Sequence, residues 1–116
     1  MSRSHLDIAL SYLDHFCRAE IEELSELIHD DFHFSGPFIE VDSKESYLLS
    51  LKDDPPKNFS VEILKSFEDA DGVCLIYDFA KPGVLTPMAQ YFKFKEDKVT
   101  ESLLIFDSRV FKRAVA

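Results

Sequence analysis

The stretch Asp30-Asp31-Phe32-His33-Phe34-Ser35-Gly36-Pro37-Phe38 decides the fold. Before it, apolar residues recur at helical spacing; well after it, they alternate with polar ones. Asp30 and Asp31 read as helix enders, Phe32, Phe34 and Phe38 as β-formers, and Gly36-Pro37 as a turn. The chain is therefore expected to reverse here, passing from a helical, acidic part to a β-rich, aromatic part.

Towards the N-terminus, Ser4 can cap a helix over residues 4–18, with Leu6, Leu10, Leu13 and Cys17 as its apolar face and Ala9 and Phe16 flanking it. Tyr12 lies towards the Phe16 side, so its ring can be buried while its hydroxyl reaches inward. Ile21, Leu24, Leu27 and Ile28 give a second helix over 21–29, with Glu20, Glu22 and Glu23 at its positive end.

Towards the C-terminus, Asp42 and Glu45 have capping-box spacing for a third helix over 43–52, striped by Tyr47, Leu48 and Leu51 and ended by Asp53-Asp54-Pro55-Pro56. Two-residue periodicity then predicts strands over 59–68, 73–80, 88–95 and 99–108. Asp69-Ala70-Asp71-Gly72 and Glu96-Asp97-Lys98 are turns, and a loop is expected around Pro82-Gly83 and Pro87. Short connections make these strands antiparallel neighbours. Leu103-Leu104-Ile105-Phe106 is apolar on both faces, so each face needs a cover.

The 116 residues fit one domain, residues 1–116, with eleven Phe, four Tyr and no Trp in its apolar part. The net charge of −9 argues against nucleic acid and anionic membrane as partners, because phosphates are bound through Lys and Arg. The acid is concentrated early: residues 1–80 carry 6 basic and 18 acidic side chains, whereas residues 81–116 carry 7 and 4. Cys17 and Cys74 read as buried free thiols of a reducing compartment, and no apolar run is long enough to act as a signal or membrane span. A soluble cytoplasmic protein is expected.

His29 and His33 are four apart, but His33 sits between two Phe of an extended segment, so the imidazoles need not converge and no metal site is expected. His33 is instead a candidate acid–base group, since imidazole titrates near neutral pH. The rings of Phe16, Phe34, Tyr47, Tyr77, Phe79, Phe92 and Phe106 are read as the lining of a ligand pocket.

Two helices, a short β segment, a third helix and four long strands resemble the SnoaL-like branch of the nuclear transport factor two-like superfamily, to which the ketosteroid isomerases belong. The resemblance runs from Ile8 to Phe111 and rests on Asp30-Asp31, the aromatic strand with Gly36-Pro37, the turn near Asp97-Lys98 and the final Ile105-Phe106-Asp107. It implies an α+β, cystatin-like fold: a cone-shaped, strongly curved antiparallel sheet wrapped around three N-terminal helices, with an apolar pocket inside. It also implies that Tyr12 stands where the isomerases place the Tyr that donates to the developing oxyanion. Their general-base carboxylate falls on Gly36 and their protonated Asp near Gln90, so the isomerase mechanism is not available in that form. SnoaL-type cyclases keep an acid where this chain has Asp107, and Asp107 with Arg109 resembles half of the Asp–Arg pairing of limonene epoxide hydrolases. Strict alternation, however, puts Phe106 and Leu104 on one face and Asp107 and Ile105 on the other.

Two functional readings follow. One is a protein that binds a small apolar molecule and acts on it, without a cofactor, as an isomerase, cyclase or lyase, with Tyr12 donating a hydrogen bond and His33 or Asp107 taking up a proton. In that reading Phe16, Phe34, Tyr47, Tyr77, Phe79, Gln90, Phe92 and Phe106 hold the ligand. The other is a non-catalytic ligand-binding or interaction module. In either, the apolar outer side of the last strand predicts a homodimer through the sheet.

Overall fold

A computed structural model describes residues 4–111. Helix α1 (His5–Cys17) opens where Ser4, in extended conformation, accepts a hydrogen bond from the Asp7 N–H at 3.1 Å. Such a cap contributes about 1 kcal/mol. The buried face is Ile8, Ala9, Tyr12 and Leu13, with Leu6, Leu10 and Phe16 partly covered beside it. The apolar stripe is thus rotated from the expected one, placing Tyr12 at the centre of the helix–sheet contact, 1% exposed.

Helix α2 (Ile21–Glu26) is shorter than the sequence suggests. The chain leaves the helix at Leu27, whose carbonyl accepts from the Val99 N–H at 2.8 Å, and strand β1 (Ile28–Ser35) begins at once. Asp30 and Asp31 therefore lie inside a strand and do not end a helix. They are tolerated because β1 bulges there: between the pairs Ile28 with Val99 and His33 with Glu101, four residues of β1 run against one of its neighbour. The bulge turns both carboxylates to water while Ile28, Phe32 and Phe34 stay buried.

Strand β2 (Glu40–Val41) folds back on β1 beyond the Gly36-Pro37 reversal. Helix α3 (Lys44–Asp53) is capped by Ser43, which accepts from Ser46 N–H at 3.1 Å, one residue on from the expected Asp42. Its Tyr47 and Leu51 are buried.

Strands β3 (Ser60–Glu68), β4 (Gly72–Lys81), β5 (Val84–Lys95) and β6 (Lys98–Ile105) complete the sheet in the order β2-β1-β6-β5-β4-β3. The sheet is curved and unclosed, and helices cover its concave face: the α+β architecture expected. It is mixed, because β1 runs parallel to β6 while every other neighbour is antiparallel.

The connections among these strands are tighter than the sequence suggests. Pro82-Gly83 is a tight turn between the paired Lys81 and Val84, with the Pro and the positive-φ Gly (81°) that a type II turn requires. Pro87 lies within β5, where β6 has not yet begun to pair, so its missing N–H costs no ladder bond on that edge. Glu96-Asp97 is a two-residue turn with φ of 54° and 60°, closing Lys95 onto Lys98.

At the β3–β4 turn, the Asp69 carboxylate accepts from the Asp71 and Gly72 N–H groups at 2.8 and 3.0 Å. Gly72 is obligatory for a different reason: a Cβ there would stand 2.2 Å from the Phe92 carbonyl oxygen.

Inward side chains alternate along the sheet: Val73, Leu75 and Tyr77 from β4, Met88, Gln90 and Phe92 from β5, Val99 and Ser102 from β6. With the helical residues they form one core, open towards the end where Phe79, Phe106 and Phe111 lie.

Candidate functional site

Between α1, α3 and the concave face lies a cavity of about 270 Å3. Its walls are apolar: Leu13 and Phe16 from α1, Leu51 from α3, Val61 and Phe79 from β3 and β4, Met88 and Leu104 from β5 and β6. At its mouth a collar of phenylalanines meets ring to ring. Phe16 contacts Phe59 (5.9 Å between centroids), Phe59 stacks on Phe79 (5.0 Å), Phe79 meets Phe111 (5.7 Å), and Phe111 meets Phe106 and Phe38 (5.1 and 5.7 Å). The Lys81 ammonium sits over the Phe111 ring, 5.0 Å from its centre.

The deep side is polar and organised. The Tyr77 hydroxyl donates to Gln90 Oε1 at 2.9 Å, and Gln90 Nε2 donates to Ser102 Oγ at 2.7 Å. Tyr12 and Tyr47 complete the floor beside them, their hydroxyls 2.5 Å apart. Strand parity explains this row. Tyr77 and Gln90 face inward on β4 and β5, Ser102 faces inward on β6, and the two helices bring Tyr12 and Tyr47 down onto them. Among the described residues no buried side-chain nitrogen or oxygen lacks a partner, as buried polar groups require.

Burial dominates the titration of this row. It holds the Tyr12, Tyr47 and Tyr77 phenols well above the ordinary tyrosine range, and neighbouring hydroxyls add to the effect for Tyr12 and Tyr77. Cys17, which also lines the cavity, is pushed up to about 11 by burial and then by the nearby Asp14. All of these groups are protonated and uncharged at neutral pH.

Of the residues proposed from sequence, Tyr12, Phe16, Phe34, Tyr47, Tyr77, Phe79, Gln90 and Phe106 line the cavity together. Three do not. His33 points away, because Phe32 and Phe34 on either side take the inward positions of β1; its ring nitrogens face Asp42 (3.0 Å) and Glu40 (3.6 Å) at the sheet edge. Asp107 also lies outside, since Leu104 and Phe106 take the inward positions; Arg109 donates to both its carboxylate oxygens at 3.0 Å. Phe92 is fully buried beneath the floor, meeting the Tyr12 ring edge-on at 5.1 Å, and belongs to the core.

Sequence reasoning missed Ser102, which accepts from Gln90 and extends the polar row onto β6. The signal was present in its two-residue phase with Leu104, a small polar residue in an apolar run. Phe38, Phe59 and Phe111 were also missed as collar residues, because they come from three loops and ends that only the tertiary fold brings together.

No family model matches the chain, and no curated protein matches it. Solved structures do. An NTF2-like protein of unknown function from Cytophaga hutchinsonii is 20% identical, with a TM-score of 0.83 over 97% of each chain. A protein from Shewanella denitrificans, provisionally assigned as a SnoaL-like polyketide cyclase, is 18% identical, with a TM-score of 0.81 over 96% of each. An LEH-like epoxide hydrolase from M. tuberculosis is 13% identical, with a TM-score of 0.81 over 95% of this chain and 87% of that one. The chain has the fold of the NTF2-like proteins. Within that class its solved likenesses include SnoaL-like proteins, as the order of its elements suggested.

Proposed function

We propose that this protein binds a small, neutral, largely apolar molecule in the cavity under its curved sheet. The observation that carries the reading is the cavity itself: apolar walls, an aromatic mouth and a hydrogen-bonded hydroxyl floor, with no carboxylate, imidazole, ammonium or guanidinium among the described lining residues. Its size, just below the ~300–1,000 Å3 usual for drug-sized ligands, suits a compound of one or two fused rings. A buried charge entering it would be unpaired, at a cost of several kcal/mol.

Binding is favoured over acid–base catalysis because the residues put forward as proton acceptors, His33 and Asp107, lie outside the cavity. The lining groups that can ionise, the three tyrosines and Cys17, hold their protons at neutral pH.

A naphthalene ketone provides the test. Three of the four tyrosines form the cavity floor and the chain has no Trp, so energy transfer from tyrosine to a bound naphthalene reports occupancy. Saturable quenching at one equivalent per chain is expected, abolished by the cavity-filling Leu104→Phe. Quenching that is linear in ligand, or unchanged in Leu104→Phe, would overturn the reading.

We further propose a homodimer through the outer sheet face. There Phe67, Cys74, Tyr91 and Leu103 are cross-strand neighbours in one row over β3, β4, β5 and β6, with Ile76, Ala89 and Ile105 beside them. Phe67 and Ile105 are each 57% exposed, more than an apolar row of this length normally leaves to water. Sedimentation at roughly tens of micromolar, a concentration that populates a micromolar dimer, should give a dimer that Leu103→Glu dissociates. A monomer would refute it. Two unpaired thiols, Cys17 on α1 and Cys74 on β4, support a reducing, cytoplasmic setting. Among the described residues no helix is long and apolar enough to cross a membrane.

A further inference from the structure

We propose that the turn following β6, residues 107–111, is a lid over the cavity, that the Phe111 ring closes it and that the Lys81 ammonium latches it. The inference concerns how the cavity is entered and rests on the binding reading above.

Strand β6 ends at Ile105, the last of its residues to pair with β5. Beyond Phe106 the chain leaves the sheet and folds on itself. The Val110 N–H donates to the Asp107 carbonyl (3.4 Å) and the Phe111 N–H to the Ser108 carbonyl (3.2 Å). Arg109 donates to the Asp107 carboxylate at 3.0 Å from both its backbone N–H and its guanidinium. All of these bonds lie within the turn, so the turn can swing as one piece about its junction with the sheet without breaking them.

The Phe111 ring seats the turn on the body. Half-buried and lining the cavity, it meets Phe79 of β4 (5.7 Å between centroids) and Phe38 of the loop between β1 and β2 (5.7 Å), with Phe106 at 5.1 Å. It thus joins two parts of the rim that are distant in sequence. Phe38 is itself 61% exposed, so little packing holds that side of the mouth shut.

Lys81 supplies the latch. Its ammonium stands 5.0 Å from the centre of the Phe111 ring, within the range of cation–π attraction. Lys81 is the last residue of β4, paired with Val84 across the Pro82-Gly83 turn, so the latch is anchored on the sheet while the ring it holds belongs to the lid. It is not among the residues that line the cavity. Its hold on the ring is therefore the same whether the cavity is empty or filled, and weakening it speeds entry and exit alike.

Stopped-flow quenching of tyrosine emission by 2-acetylnaphthalene gives kon, and dilution of the complex gives koff. Lys81→Met keeps the stem over the ring and removes the charge. It should raise kon and koff together, each roughly two- to fivefold, the span of one exposed cation–π contact, and leave Kd unchanged. Phe111→Ala removes the closing ring and should raise kon roughly tenfold or more, as the loss of several ring contacts implies.

Unchanged rates in Lys81→Met would overturn the latch. A rise in koff alone, with kon unchanged in both variants, would make Phe111 a wall of the cavity and overturn the lid, leaving the binding reading intact. Absence of saturable quenching in the wild-type protein would sink the binding reading and the lid with it. Should Phe111→Ala not fold, the two rates of Lys81→Met decide.

Discussion

Replacing Gln90 by Met tests whether the polar row holds the cavity floor together. Met is close to Gln in length and shape, so the change removes the amide without opening a large void. It deletes the bond from Tyr77 (2.9 Å) and the bond to Ser102 (2.7 Å), leaving two hydroxyls that are 3% and 2% exposed at residue level short of a partner. At about 1–3 kcal/mol for each stranded group, offset by about 1 kcal/mol for burying a thioether in place of an amide, the net loss is about 1–5 kcal/mol. The unfolding entropy of a chain this size, about 0.24 kcal/mol/K, converts a 3 kcal/mol loss into a fall in Tm of about 12 °C. Tyr77→Phe removes only the end of the row and should cost about 1 kcal/mol. In the Gln90→Met background it should cost nothing, because its bond is already gone. Urea melts of the two single variants and the double variant give the cycle. A Gln90→Met cost below about 0.5 kcal/mol, or a Tyr77→Phe cost equal in both backgrounds, would refute the row as a coupled unit.

Three further outcomes are expected. Burial raises the folded-state phenols of Tyr12, Tyr47 and Tyr77, so their contribution is complete below the unfolded value of ~10 and is lost as pH climbs above it. With three such groups the loss approaches about 4 kcal/mol per pH unit, and unfolding followed by circular dichroism should coincide with tyrosinate absorbance above pH ~10; tyrosinate of the floor appearing in a still-folded protein would contradict this. Gly72→Ala drives a Cβ to 2.2 Å from the Phe92 carbonyl and should destabilise by about 3 kcal/mol or more, checked by denaturant melts. Glu96→Asn relieves a left-handed residue (φ 54°) at a turn that Asn suits, and should raise stability by about 0.5–1 kcal/mol despite losing the 3.6 Å contact with His29; a fall in stability would count against it.

The change from helical to two-residue period was legible in the sequence, and with it the three helices, the four long strands and the strand faces of Tyr77 and Phe106, whereas Gln90 entered the site only through the family resemblance. The same parity rule on β1 and β6 already placed His33 between two inward phenylalanines and Asp107 opposite Phe106; what favoured them as site residues was their chemistry and not their phase. Asp30-Asp31 misled because a bulge can carry two acids to water within a strand, and a bulge depends on the facing strand, seventy residues away in sequence. The parallel pairing of β1 with β6 was hidden for the same reason. The Tyr12–Tyr47 contact joins two helices 35 residues apart, so neither helix alone announces it.

The central claim, that a small neutral molecule enters the cavity and not the outer face, is tested most directly by methyl NMR during titration with 2-acetylnaphthalene. The account predicts saturable shifts at Leu13, Leu51, Met88 and Leu104, which line the cavity, with Leu103 and Ile105 on the outer face unmoved. Shifts confined to Leu103 and Ile105, with the cavity methyls unmoved, would contradict it.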